Sequence, residues 1–505
     1  MTSNIDAASR IPVYDPADRT QLSPSSWLLI ALVFVAAIGL RLVVPLNTDV
    51  AWLLTVGERV LDGQRLYSDI VEINPPMAVL ALLPGIALAR ALGVEPQYVI
   101  DAQMLLLAAA SMLVTARILR LSSALDPVKW VSLGMWAAAV LTILPMFVFG
   151  QREHIATLTY LPALAVYALR CNREPVPLWA VLTAGIGAGI TLAFKPFFAP
   201  PVILCIVVTA ARARSWRVLF APENLIAGGL VTAFSVFSYV HYPEYFTVTY
   251  PLVRDTYLSW SMPVSVIFLN SATMVWVIAV ASIFVTRGKR KLDSALLVTL
   301  VASFGFAVAF YLQRRGWAYH SYPMVAIVLL AMGYVMTAVD AASSARRSEI
   351  ATMSALAGTF LIACLWFNTN VYVGPIEGPV ASLKRHPRIL VLSGEAAIGH
   401  PLVRTLHGVW VSRQENLWIR EFVRLTRENN VIDPQTDAKL NAALALERAW
   451  LIEDFKKLPP DVVLVDNLRD GWGALARVDA ELSQLLRPYT LVQSVEGIDI
   501  LRRTE

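Results

Sequence analysis

The chain has 505 residues, of which 57% are hydrophobic and 16% charged, and its mean hydropathy is +0.58. A soluble protein carries about 25% charged residues, so the composition excludes an ordinary soluble enzyme. The net charge of +5 and pI near 9.0 do not signal nucleic acid: residues 384–505 hold 17 Lys+Arg against 17 Asp+Glu, and the whole excess lies in 1–383.

In chain order, residues 1–26 are polar and lack the charged, apolar and small-residue order of a cleaved signal peptide. They are expected to form a cytoplasmic tail ahead of a retained anchor, Trp27–Leu46. Repeated apolar runs of roughly 17–25 residues mark an α-helical polytopic membrane protein. The expected spans are 27–46, 98–119, 130–149, 155–170, 178–194, 197–211, 225–241, 263–286, 294–312, 321–340 and 350–368, about eleven in all.

The run Pro75–Leu92 is interrupted by Pro84-Gly85, and loop charge decides its course. If it does not cross, one side of the membrane collects fourteen Lys and Arg, and the other collects Arg152, Lys195, Arg254, Arg314 and Arg315. If it crosses, every later loop changes side and the positive-inside rule fails. The run is therefore read as a surface helix. This places the N-terminus in the cytoplasm and residues 369–505 on the periplasmic face of a bacterial inner membrane.

The tail has a different texture. Arg388–Ser393 and Asp461–Asp466 read as buried strands, and Tyr489–Arg503 as two strands around Glu496-Gly497. Ser412–Asn429 and Gln435–Leu458 read as helices, the first opening on a Ser412 cap with Glu415 three residues on. Alternating strands and helices imply a soluble α/β domain over 384–505, behind a catalytic membrane module over 27–370 whose first outer loop is 47–97. No glycine-rich phosphate loop follows either strand. Cys171, Cys205 and Cys364 lack metal or CxxC spacing and are expected as free, buried thiols.

On this topology the outward segments gather the unusual polar residues. The first holds Asp49, Tyr67, Asp69 and Glu72 before Asn74-Pro75-Pro76; later ones hold Arg152-Glu153-His154, Lys195, and Arg314-Arg315 with His320. Asp49 after the first span, the Tyr67–Pro76 stretch and Glu153 at the fourth span resemble the GT-C glycosyltransferases. These membrane enzymes take sugars from polyprenyl-phosphate carriers. The layout is similar to bacterial relatives of the protein O-mannosyltransferases, including lipid A aminoarabinose transferases and rhizobial galacturonosyltransferases that modify lipopolysaccharide. The chain departs from many relatives at Val50, Asn74 and Glu153, where they carry Glu, Lys and Asp.

The resemblance implies inverting transfer from a polyprenyl-phosphate sugar donor to a lipid, glycan or protein acceptor, with no nucleic acid involved. Such transfer needs a base for the acceptor proton and positive groups, with or without a metal, for the departing phosphate. Asp49 can be the base, and Glu153 a second catalytic acid. Glu153 with His154 can also hold a divalent metal ion. Arg152, Lys195, Arg314, Arg315 and His320 can neutralise phosphate, and Tyr67 and Glu72 join the expected substrate contacts. Each has a plainer reading: Asp49 as a helix cap, Arg314 and Arg315 as interfacial anchors, Lys195 as a snorkelling side chain, Trp317 and Tyr319 as an aromatic belt. The rival functions are a transporter or flippase of lipid-linked glycans, and a polymerase or ligase. A transporter is expected to show interrupted repeat helices and mid-bilayer charge, and no clear repeat is evident in the sequence.

Overall fold

The computed structural model describes residues 23–125, 128–288, 290–338, 346–371, 373–429, 431–468 and 471–504. The expected tail 1–26 lies almost wholly outside them. The chain begins with α1 (Pro24–Arg41), capped by the Ser23 hydroxyl, which accepts from the Ser26 N–H, and started by Pro24 at its first position. Most of its apolar side chains are exposed, as a lipid-facing helix requires.

The first loop folds into α2 (Thr48–Leu61), α3 (Met77–Leu80) and α4 (Leu83–Leu92). At about 1.5 Å per residue, α4 is about 15 Å long and reaches only half of a ~30 Å hydrocarbon core. The run 75–92 is split into α3 and α4, the broken form that the surface course favoured by loop charge calls for. Then come α5 (Pro96–Leu119), α6 (Trp130–Ala138, continued by a π-helical turn to Ile143), α7 (Arg152–Cys171), α8 (Leu178–Phe194), α9 (Ala199–Ala213) and α10 (Pro222–His241). The short α11 (Tyr250–Asp255) and α12 (Val264–Phe268) precede α13 (Ser271–Arg287), α14 (Ser294–Gln313), α15 (Ala318–Thr337) and α16 (Arg346–Phe367). Eleven helices fall on the eleven expected spans of a polytopic membrane protein; six of the described helices are long and apolar enough to cross a membrane, and the others are shorter or, like α7, more polar. The expected run 263–286 is broken, with only its later part a long helix.

The least apolar of these helices, α7, is buried almost throughout. It is surrounded by α5, α8, α9, α14 and α15, so it needs no lipid-facing surface. Its contact with α8 depends on Gly187, where an added Cβ would strike the Thr159 carbonyl, a small-residue crossing of the kind that draws membrane helices together.

After α17 (Glu377–Ala381) the chain builds a five-stranded sheet. The strands are β1 (Arg388–Leu392), β2 (Val409–Trp410), β3 (Val462–Asp466), β4 (Tyr489–Val495) and β5 (Ile498–Arg503), in the order β2-β1-β3-β5-β4. β1 runs parallel to β2 and β3, with Ile389 opposite Val462 and Leu392 opposite Val465; β5 is antiparallel to β3 and β4. Helices α18 (Leu402–Thr405), α19 (Trp418–Asn429), α20 (Pro434–Lys457), α21 (Trp472–Val478) and α22 (Ala480–Leu486) complete the α/β unit. The expected capping box fails: α19 starts at Trp418, not Ser412. Its first N–H groups, those of Ile419 and Arg420, are satisfied by the Glu447 carboxylate at 2.9 and 3.0 Å. Burial pushes the Glu447 carboxyl up to about 8. Cys171 and Cys205 are buried free thiols as expected, while Cys364 is half-buried.

The tail is seated on the first loop. The Val71 N–H donates to the Arg413 carbonyl at 2.8 Å, Arg59 Nη1 donates to the Ser412 carbonyl at 2.8 Å, and Arg404 pairs with Glu58 at 2.6 Å. A second apolar contact joins Val253 of α11 to Trp418, Ile419 and Phe422 of α19. These two contacts close a roof over the membrane helices.

Candidate active site

Beneath that roof is a cavity of about 760 Å3, within the roughly 300–1,000 Å3 expected of a ligand pocket. Asp49, Arg152, Lys195, Arg315, Tyr319 and His320 line its membrane side, and Glu395, Glu415 and Glu421 its tail side. Each membrane-side group sits where a helix begins or ends. Asp49 is in the first turn of α2, behind the Asn47 cap, whose side chain accepts from the Val50 N–H and the Gln151 amide. Arg152 opens α7 after a left-handed Gly150. Lys195 precedes Pro196, which drives it into extended backbone (φ −152°, ψ 132°), ends α8 and turns its side chain inward. The turn Gln313–Trp317 between α14 and α15 delivers Arg315, and the first turn of α15 delivers His320.

These groups form one network. Arg152 Nη2 donates to Asp49 Oδ2 at 3.0 Å. Lys195 Nζ donates to Glu153 Oε1 at 2.5 Å and lies 3.3 Å from His320 Nε2. The Tyr319 ring is a shared wall, with the Arg152 guanidinium 5.7 Å and the Lys195 ammonium 5.5 Å from its centroid. Arg315 lies 4.4 Å from the Tyr257 ring, 5.5 Å from the Trp260 ring, and donates to the Trp260 carbonyl. Arg152 Nε and Nη1, Glu153 Oε2 and His320 Nδ1 are buried without a protein hydrogen-bond partner. Such orphaned groups are costly in a folded chain and usually mark where a ligand completes the network.

Several expected contacts take other roles. Glu153 is fully buried behind Lys195 and does not reach the cavity wall, so it positions that lysine instead of meeting substrate. His154, one residue along the helix, points elsewhere: its ring accepts from the Gly150 N–H at 3.2 Å and lies 2.8 Å from the Leu141 carbonyl. The two therefore do not converge on a metal, and no group of three His, Cys, Asp or Glu among the described residues could hold one. Glu72 binds Trp52 Nε1 at 2.6 Å and the Asn74 backbone and side-chain N–H groups at 2.8 and 2.5 Å. Burial pushes its carboxyl up, against those hydrogen bonds. Tyr67 is buried with φ 68° and donates to the Asn74 carbonyl at 2.6 Å. Both residues fold the loop and stay off the cavity wall. Arg314, at the left-handed end of α14 (φ 48°), clamps the Met262 carbonyl at 3.0 and 3.2 Å, also away from the wall.

Sequence reasoning missed Tyr257, Trp260 and the acids of the roof. Glu415, expected in a helix cap, lies in the lead-in to α19, with Oε1 buried and unpartnered. Burial, with Asp49 and Glu72 nearby, pushes its carboxyl well above the usual range. No signal in the sequence separates it from the other tail acids.

No protein-family model and no curated protein sequence matches the chain. Among solved structures, ArnT from Cupriavidus metallidurans, bound to undecaprenyl phosphate, matches with a TM-score of 0.57 and 12% identity over 95% of this chain and 98% of that one. This chain shares the fold of ArnT. The likeness runs through both the helical bundle and the tail, so the shared fold is a polytopic helical membrane protein with a C-terminal α/β unit.

Proposed function

We propose that this chain is a membrane glycosyltransferase that moves a sugar from a polyprenyl-phosphate donor to a cell-envelope acceptor bearing a hydroxyl or amine. The observation that carries this reading is the acid Asp49 facing Arg152, Lys195, Arg315 and His320, with two arginine nitrogens lacking partners. The solved neighbour was captured with undecaprenyl phosphate, a lipid of the same donor class. The positive-inside rule supports a bacterial inner-membrane location with the cavity and tail on the periplasmic side.

In the proposed reaction Asp49 takes the proton from the acceptor O–H or N–H. The freed lone pair attacks the anomeric carbon from the face opposite the phosphate. The bond from that carbon to the phosphate oxygen breaks, and its electron pair leaves with the polyprenyl phosphate. Configuration at the anomeric carbon inverts. Arg152 holds one Asp49 oxygen in place, while Lys195, Arg315 and the free arm of Arg152 meet the charge that grows on the leaving phosphate. Tyr257, Trp260 and Tyr319 supply ring faces for the sugar. The residues do not fit a divalent cation, and no step is assigned to one.

The test is release of polyprenyl phosphate by the purified protein in lipid nanodiscs, supplied with a panel of polyprenyl-phosphate sugars and a membrane-glycan extract. Release that depends on both donor and acceptor supports transfer. Movement of intact donor across the bilayer without release would favour a flippase and overturn the proposal.

A further inference from the structure

A second, larger cavity of about 1030 Å3 lies at the other end of the bundle. Its walls are α1, α5, α6, α7, α14 and α15. On α1 it is lined from Trp27 to Ile38, and on α5 from Ala109 to the residues just beyond its last turn. At about 1.5 Å per residue the α1 wall is about 16 Å deep, half of a ~30 Å hydrocarbon core. The cavity therefore has the depth of one leaflet, and it opens on the membrane face opposite Asp49, since α1 runs from Pro24 at this end to Arg41 near the first loop.

Its lining is almost entirely apolar, and its only charged lining residues among those described are Arg117 and Arg120. Both sit at the mouth. Arg117 lies 5.0 Å from the Trp179 ring, and Arg120 4.6 Å from the Trp130 ring. Trp27 and Trp130 line the same rim, where amphipathic rings mark the level of lipid headgroups. α1 packs chiefly on α6 and the π-helical turn after it, so the cavity separates it from α5 and α14.

We propose that this cavity binds an anionic phospholipid of the leaflet opposite the reaction cavity. Its acyl chains fill the apolar slot between α1 and α5, and its phosphate lies against Arg117 and Arg120. A basic rim over an apolar cleft between membrane helices is the arrangement that holds anionic headgroups. The site shares no lining residue with the cavity of Asp49 and does not depend on the glycosyl-transfer reading.

The experiment is native mass spectrometry of the full chain, delipidated and then given phosphatidylglycerol or phosphatidylcholine of equal chain length. Wild type is expected to retain phosphatidylglycerol over phosphatidylcholine by about tenfold or more, the preference that two arginines near a headgroup supply. Arg117→Gln with Arg120→Gln abolishes that preference. Arg212→Gln with Arg214→Gln, two exposed arginines at the same end of the bundle, keeps it. Ala116→Trp fills the slot, leaves both arginines in place and loses both phospholipids, which decides the matter if the double variant does not fold. Equal retention of the two phospholipids overturns the proposal. So does an equal loss in the Arg212/Arg214 pair, or retention by Ala116→Trp.

Discussion

The floor of the reaction cavity presents basic side chains and its roof carboxyl groups, of which Glu415 is held toward its neutral form by burial. Arg152, Lys195, Arg315 and His320 rise from the ends of membrane helices, whereas Glu395, Glu415 and Glu421 descend from loops of the tail. In the proposed reaction a donor spanning the two places its phosphate toward the membrane. The floor is also the more tightly built half. Lys195 is anchored on a carboxylate with no solvent access, and Arg152 is nearly as buried. The two surfaces should therefore respond differently to substitution: turnover should depend most on the floor, and substrate affinity most on the roof.

The largest effect is expected at Lys195. Lys195→Met should lower turnover on the order of 10²–10³-fold, the usual cost of one electrostatic group at a developing charge. It should also destabilise the fold, because Glu153 is left buried and uncompensated. Adding Glu153→Gln should restore the melting temperature without restoring turnover. If the double variant recovers activity, the floor does not hold the phosphate.

Next is the roof. Glu415→Ala should raise KM by roughly tenfold, about 1.4 kcal/mol of binding, while leaving kcat within a few-fold. A kcat loss as large as that of Lys195→Met would erase the distinction between the surfaces. The neighbouring arginines sharpen it further. Arg315→Ala should cost turnover, whereas Arg314→Ala, which removes only the clamp on Met262, should lower thermal stability by about 1–3 kcal/mol and leave kcat in place.

The arginine pair also shows what was legible in the sequence. Span number, the surface course of 75–92 and both main strands of the tail follow from hydropathy and loop charge, which are local signals. Asp49, Arg152, Lys195, Arg315 and His320 were legible because a polar residue at the end of an apolar run is conspicuous. Which of two adjacent residues faces the cavity was not. Arg314 and Arg315, or Arg152 and Glu153, are separated by the rotation of one backbone step, and only the packed helices fix that rotation. Glu415 was illegible for a different reason: it is one acid among seventeen in a polar tail, and its burial depends on docking against the first loop.

The smallest expected effect lies far from the cavity, at Asp461, which pairs with Lys384 at 2.7 Å and Arg388 at 2.8 Å. Its partial burial opposes ionisation, but those partners prevail and hold its carboxyl below the usual range. A depressed folded-state pKa means the stabilisation is present above the ordinary carboxylate pKa of about 3.9 and is lost as pH falls through the lower, folded value. Asp461→Asn should therefore destabilise the protein by about 1 kcal/mol at pH 7 and progressively less on acidification. Melting curves across pH 2–7 would read this, with turnover at neutral pH unchanged.

The most direct test of the central claim measures donor binding and turnover on one preparation of Asp49→Asn in nanodiscs. If Asp49 is the base and the floor holds the phosphate, donor affinity should stay within a few-fold of wild type. Turnover should fall on the order of 10²–10⁴-fold, the range for loss of a general base. Wild-type turnover in Asp49→Asn would remove Asp49 from the chemistry, and loss of donor binding with turnover would assign it to the phosphate site instead.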